Sequence, residues 1–469
     1  MIRRDFFKTS TIALLGTSIF SGLEPVKRLL SPEQEKVAGT AKNIIFMVSD
    51  GMSTGTLNMA NLLTERMYGR ESKWISLYRE RKVVRAFMDT ASANAMVTDS
   101  AASSSAWGGG VRVNNGKLNA NADGTFNTPI LQKFKTAGKK VGCVTTVPIT
   151  HATPAGFCIV NSSRGDQSEI AMQYLPLKFD VMMGGGNKYF SAEKRKDKVD
   201  VYGQFTKAGY QLAKNKAEML ALNTNKPILG VFDEDALPFS VDYAHDNELQ
   251  SKIPTLAEMT EKAIELMKDS PRGFVLQVEG GKVDWAAHSN DSPGLLFDQI
   301  AFDLAVEKAI AFAEKDKNTL VIITTDHGNG NPGLFGDHNS DKMFDLLQTF
   351  KCSNDWILNN VKPDFTPASL IELINNAQGY SISTEQAKTL LTHYQTLDGG
   401  GVYNARKLPF ELLGKIQQDY TAIGWGSMEH SADYVELAAY GPGSTLMNSF
   451  VRNTELHNLM LNATGVKTL

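Results

Sequence analysis

The sequence predicts an α/β sandwich built on a central, mostly parallel β-sheet and interrupted by a helical insertion. Short apolar, β-branched runs recur along the chain, and each stops at a polar residue or glycine, as strands buried on both faces of a parallel sheet do. Stretches with helical periodicity separate them, the alternation expected of a sheet covered by helices. The chain has 469 residues, 42% of them hydrophobic and 21% charged. That composition supports a sizeable core and excludes global disorder, while the length admits either one large domain with insertions or two domains.

Residues 1–22 read as an address rather than as structure. Arg3 and Arg4 precede Asp5, Phe6, Phe7 and Lys8, and the modestly apolar run TIALLGTSIF follows. This resembles a twin-arginine export signal and implies a periplasmic or secreted protein. The run is far short of the roughly 20 apolar residues that cross a bilayer. A polar leader, 23–42, comes next. The formal net charge is -3; removing residues 1–22, with three basic side chains against Asp5, takes it to -5. Such a balance argues against a nucleic-acid-binding face. Cys143, Cys158 and Cys352 include no C-x-x-C pair. They read as buried thiols, with a Cys143–Cys158 bridge open to an oxidising compartment.

The strand runs are 43–50, 140–150, 179–185, 273–280 and 318–327, and the helical stretches between them include 128–138, 255–269 and 294–315. The rhythm lapses after His327. Pro367 opens one helix, Ser383 is placed to cap another, glycines 399–401 break the chain, and a short helix follows at about 409–420. Residues 341–425 are therefore expected to be a mostly helical insertion, dividing a catalytic domain of 43–340 and 426–469. YVELAAYG at 434–441 is read as a final strand, with an edge position open to it.

In parallel sheets ligands sit beyond the carboxyl ends of the strands. Asp50, Glu279, and Asp326 with His327 end three of these runs. Carboxylates and imidazole gathered at one sheet edge need a cation to offset their charge. Asp284 and His288, four apart, share a face of a helical turn, and His430 is available as a further imidazole, so oxygen and nitrogen donors suited to zinc are present. A lone acid at a strand end is more often a turn or a cap; the joint pattern favours a metal. Ser100, directly after Asp99, opens a small-residue helix whose backbone N–H groups favour an anion. A cap is an equally good local reading. Ser103, Ser104 and Ser105 read as close-packing residues. Arg164 offers a guanidinium fork for phosphoryl oxygens, although an isolated arginine is more often a surface charge.

In order and combination, NIIFMVSDGM, TDSAASSSAW, HATPAGF, VEGGKVDWAAH, TTDH and MEH resemble the alkaline phosphatase family over most of 43–340 and again at 424–443. The resemblance implies a three-layer α/β/α sandwich that hydrolyses phosphate monoesters through a phosphoserine on Ser100, with Arg164 binding phosphate and Asp99 positioning it. It also implies two zinc ions and one magnesium per subunit. Asp284, His288 and His430 match first-zinc ligands; Asp326 and His327, with Asp50 bridging, match those of the second; Asp50, Thr153 and Glu279 match the magnesium site. His151 and Trp285 stand where some members have aspartate and lysine, which opens the identity of the third ion. A homodimer is compatible with this reading.

A phosphodiesterase of the same superfamily is the nearest alternative. A sulfatase would need a C-x-P-x-R or S-x-P-x-R motif around its nucleophile, which this chain lacks. A phosphate- or metal-binding protein without turnover would have no use for Ser100.

Overall fold

The computed structural model describes residues 40–223, 226–336, 339–394 and 408–467. The export-like segment, nearly all of the leader and the glycine triplet at 399–401 lie outside these residues. Fourteen strands form along the described chain: β1 Asn43–Ser49, β2 Val84–Asp89, β3 Lys140–Pro148, β4 Val181–Gly185, β5 Gln211–Ala213, β6 Ile228–Val231, β7 Phe274–Gly280, β8 Thr319–Thr324, β9 Gly328–Asn329, β10 Gly333–Leu334, β11 Ile423–Gly424, β12 His430–Ser431, β13 Val435–Tyr440 and β14 Phe450–Arg452. Ten of them make one sheet in the order β14-β2-β13-β8-β1-β7-β3-β4-β6-β5. Only β13 runs antiparallel to its neighbours. Helices cover the sheet, giving the three-layer α/β/α sandwich.

The apolar runs become the central strands because every residue of β1, β7 and β8 is buried. The long helix Ser292–Asp316 packs over them, and the helix Leu256–Met267 starts at a capping box made by Thr255 and Glu258. Residues 340–421 contribute the helices Ser340–Asp345, Asn354–Asn359, Pro367–Gln378, Thr384–Tyr394 and Phe410–Thr421. Ser383 accepts from the Gln386 backbone while the Gln386 side chain accepts from the Ser383 backbone.

Two readings of the C-terminal strand are corrected. β13 is neither last nor at an edge: β14 follows it, and β13 lies between β2 and β8. Its five leading residues are all buried, so its polar position is not a solvent face. Glu436 instead accepts from the Tyr78 hydroxyl at 2.9 Å and pairs with Arg85 at 3.4 Å. Cys143 and Cys158 are unbridged, with Sγ atoms 3.6 Å apart.

The helix Ser100–Gly109 crosses the helix Ala152–Cys158 at very close range. A Cβ on Gly108 would lie 2.0 Å from the Gly156 carbonyl oxygen, so only glycine allows the approach. The three serines pack as their sequence suggests: Ser103 donates to Asp326 O, Ser104 to Thr153 O and Ser105 to Lys117 O.

Behind this crossing His457 is buried. Its Nε2 lies 2.9 Å from Lys133 Nζ and its Nδ1 2.9 Å from Trp107 O. Lysine can only donate, so the ring is neutral with its proton on Nδ1. Burial, then the Lys133 charge, pushes His457 down to about 4. A depressed pKa means that the unfolded chain binds more protons below its ordinary value of about 6.5. The contribution of neutral His457 is thus complete above pH 6.5 and fades as pH falls toward 4. Urea unfolding should show about 2 kcal/mol less stability from this residue at pH 5 than at pH 7.5. His457→Gln should lose that part of the pH dependence; an equal pH difference in both proteins would contradict the assignment.

Candidate active site

The carboxyl ends of β1, β7 and β8 bring Asp50, Glu279 and Asp326 together, with His327 beside them. All four are buried. Asp284 and His288 come from the helix Lys282–His288 that follows β7. His430 is delivered by β12, which pairs with β9 just beyond His327.

Three groups of ligand atoms converge within 4.8 Å of one another: Asp50 with Asp326 and His327, Asp284 with His327 and His430, and Asp50 with His151 and Glu279. His288 joins the second group through its Nε2, 3.0 Å from His430 Nε2 and 3.5 Å from Asp284 Oδ2. Thr153 adjoins the third group, donating to Asp50 Oδ2 at 3.1 Å. His151 Nδ1 lies 3.9 Å from Glu279 Oε1.

The donor set fits cations. Asp50 Oδ1, Asp326 Oδ2 and Glu279 Oε1 are buried without a hydrogen-bond partner, an expensive condition unless an ion satisfies them. Nδ1 of His288 is 2.7 Å from Met428 O and Nδ1 of His430 is 2.8 Å from Thr98 O. These carbonyls hold the protons on Nδ1, so both Nε2 lone pairs face one point, which calls for a proton or a metal between them.

The electrostatics carry the same signature. Burial, followed by the charges of Asp326, Asp284 and Glu279, raises Asp50 well above the usual carboxylate range. For Asp284 burial acts upward too, but the imidazoles of His288, His430 and His327 outweigh it and hold the group well below that range. Burial opposes the charged form of His430, yet Asp284 prevails and pushes it up to about 9.

Ser100 opens its helix at the floor of a cavity of about 550 Å³, with Oγ 3.3 Å from His327 Nε2. The preceding Asp99 is the cap: Oδ1 accepts from Ala102 N, and Oδ2 accepts from Gly116 N and, at 3.0 Å, from Arg164 Nη1. The second Arg164 arm donates toward His151 Nε2 at 3.2 Å. Arg164 therefore has a fixed orientation on the cavity wall. Trp285 lines the same cavity, its ring edge-on to His151 at 6.2 Å.

Sequence reasoning missed the residues that hold these groups. Thr145 donates to Glu279 Oε2 at 2.5 Å, Asn329 donates to Asp284 Oδ1 at 2.7 Å, and Asn115 accepts from the Asp99 backbone at 3.1 Å. Asn329 follows His327 by two residues in TTDHGN, the single local hint among the three. The described residues of 341–425 are not among those lining the cavity.

A doubly covered parallel sheet with cation-ready acids and a capped serine at its carboxyl edge defines a hydrolase of the metal-dependent phosphatase class. The family described as alkaline phosphatase matches residues 41–466, and the chain belongs to that family. Alkaline phosphatase 4 of Bacillus subtilis (strain 168) is 28% identical over 459 residues, spanning 96% of this chain and 95% of its own. The crystal structure of Thermus thermophilus alkaline phosphatase superposes with a TM-score of 0.85 at 30% identity, covering 95% of this chain and 96% of that one. A variant of the TAB5 alkaline phosphatase, in which a histidine is replaced by aspartate and magnesium is bound in the M3 site, gives a TM-score of 0.66 at 25% identity, covering 92% and 100%. Among the described residues no helix is long and apolar enough to cross a membrane.

Proposed function

We propose that the protein hydrolyses phosphate monoesters to an alcohol and inorganic phosphate through a phosphoserine on Ser100. The observation that carries this reading is the placement of Ser100 Oγ at a helix start, against His327 and on the same cavity as the oriented guanidinium of Arg164. Asp284, His288 and His430 would hold one zinc; Asp50, Asp326 and His327 the other; Asp50, Thr153 and Glu279 a magnesium. When bound, such ions supply Lewis acidity to the attacking and leaving oxygens of an in-line displacement. Ser100 Oγ gives up its proton to solvent and forms the new bond to phosphorus as the bond to the ester oxygen breaks, and the departing oxygen takes a proton from solvent. Arg164 pairs with non-bridging oxygens as charge develops on them, while Asp99 and His151 keep its fork aimed. Water then attacks the phosphoserine phosphorus, releasing phosphate and restoring the serine. The same reading includes export directed by residues 1–22 and a helical insertion at 341–425.

Rates for a phosphate monoester, a phosphate diester and a sulfate ester test the assignment. The monoester should be fastest; a dominant diesterase rate would replace this reading with its nearest alternative.

Two substitutions probe the anion and third-ion sites. Arg164→Ala should raise both KM and the inhibition constant for phosphate by about 10- to 100-fold without unfolding the protein, because it removes a charged contact at a half-buried position. Unchanged constants would remove Arg164 from the site. His151→Asp replaces a neutral imidazole beside the third group with a hard anionic oxygen, which magnesium prefers. It should tighten magnesium binding by about tenfold in a competitive metal titration. Equal affinity would show that His151 does not tune the ion. Likewise, Trp285→Lys adds a cation to the cavity wall and should strengthen phosphate inhibition.

A further inference from the structure

Lys282 opens the helix Lys282–His288 that carries Asp284 and His288, yet none of the phosphoryl steps uses its charge. The residue is buried, at 7% exposure, a rare state for a lysine. Its backbone N–H donates to Thr146 Oγ1 at 3.1 Å, which ties the start of the helix to β3. Its Nζ lies 3.4 Å from the ring centroid of Phe239 and 5.2 Å from that of Trp285. An ammonium over an aromatic face is attracted by the negative ring centre, more strongly where water is excluded. Lys282 therefore holds the Trp285 ring, which lies one turn further along the same helix.

The surroundings keep the ammonium charged and in place. Asp233, Asp242, Asp298 and Asp355 are near enough to feel it: burial raises each of these carboxyls, and the Lys282 charge counters the rise in all four. Asp298 Oδ2 accepts from the Ser240 backbone at 2.9 Å, fixing the residue after Phe239. Asp242 accepts from the backbone and the hydroxyl of Ser353, both at 2.7 Å, and so pins the helix Ser240–Ala244 that Phe239 precedes. Toward the site, Trp285 lines the cavity with its ring edge-on to His151 at 6.2 Å, within the range of a favourable aromatic pair. His151 in turn faces the second arm of Arg164 at 3.2 Å. One line of contacts thus runs from Phe239 through Lys282, Trp285 and His151 to the Arg164 guanidinium.

Resting on the monoesterase reading, we infer that Lys282 is a positioning residue: its ammonium, seated on Phe239, holds Trp285 in the cavity wall and, through it, His151 and the Arg164 fork. The test is KM, kcat, the inhibition constant for inorganic phosphate and the bound-metal content of Lys282→Met, alone and combined with Trp285→Ala. Methionine keeps the length of the side chain and removes its charge. KM and the inhibition constant should rise about fivefold, the scale of a desolvated cation–π contact, while kcat stays within about twofold. The metal content should not change. Lys282→Arg should restore both constants, because a guanidinium also stacks on rings. In the Trp285→Ala background Lys282→Met should shift them by less than about twofold, since the group it acts through is gone. An equal rise in both backgrounds, or unchanged constants in the folded Lys282→Met protein, overturns the inference. If Lys282→Met does not fold, Phe239→Leu carries the test by removing the ring on which the ammonium sits. It should raise the same constants about threefold with Trp285 present and not without it; any other result overturns the inference. Failure of the underlying reading looks different: Arg164→Ala would leave phosphate inhibition unchanged, and the positioning role would fall with it.

Discussion

Replacing Ser100 with alanine should lower kcat by at least about 10³-fold, the scale on which a lost nucleophile is felt, while leaving the bound-metal content unchanged. Ser100 Oγ makes one hydrogen-bonding contact, to His327 Nε2, and the helix is capped by Asp99 rather than by Ser100. The substitution therefore removes the attacking oxygen without disturbing the helix or the carboxylate cluster. Elemental analysis of the variant and its initial rate on a phosphate monoester check both halves of the expectation. A variant retaining most of the rate would move the nucleophile elsewhere.

Metal removal should have an effect of similar size on rate and a second effect on folding. Lewis-acid stabilisation is worth several kcal/mol at the transition state, and about 1.4 kcal/mol corresponds to a factor of ten in rate, so chelation should cost about three orders of magnitude. The folding effect follows from the buried donors. Asp50, Asp326, Asp284 and Glu279 are all buried, and on three of them one oxygen has no hydrogen-bond partner. Ions that bind only the folded protein stabilise it by mass action, so the chelated protein should unfold at a lower temperature and recover when zinc and magnesium are restored. An unchanged melting temperature and rate after exhaustive chelation, verified by elemental analysis, would contradict the metal assignment.

The centre of the fold was legible because strands buried on both faces must be apolar throughout, and β1, β3, β4, β7 and β8 are short continuous runs of that kind. β2 was not, since its alternation of exposed and buried residues is brief and its place in the sheet depends on β13 and β14. The error over β13 has the same origin: Glu436 reads as a solvent position until Tyr78 and Arg85 arrive from another part of the chain. Strand ends also made much of the candidate site legible. Asp50, Glu279 and Asp326 fall where apolar runs stop, and the parallel topology gathers them at one edge. Arg164 carried no local signal; its position became meaningful through its spacing in the family resemblance, and its contact with Asp99 spans 65 residues.

Central to this account is a covalent bond between phosphate and Ser100. The most direct measurement is to mix the unaltered enzyme with a labelled phosphate monoester, quench in acid within the first turnover, and map the label by peptide mass spectrometry. The label should appear on Ser100 in the peptide containing TDSAASSSAW and be absent from the Ser100→Ala protein. Label on another residue, or turnover with no acid-stable phosphoenzyme at any quench time, would contradict the two-step mechanism.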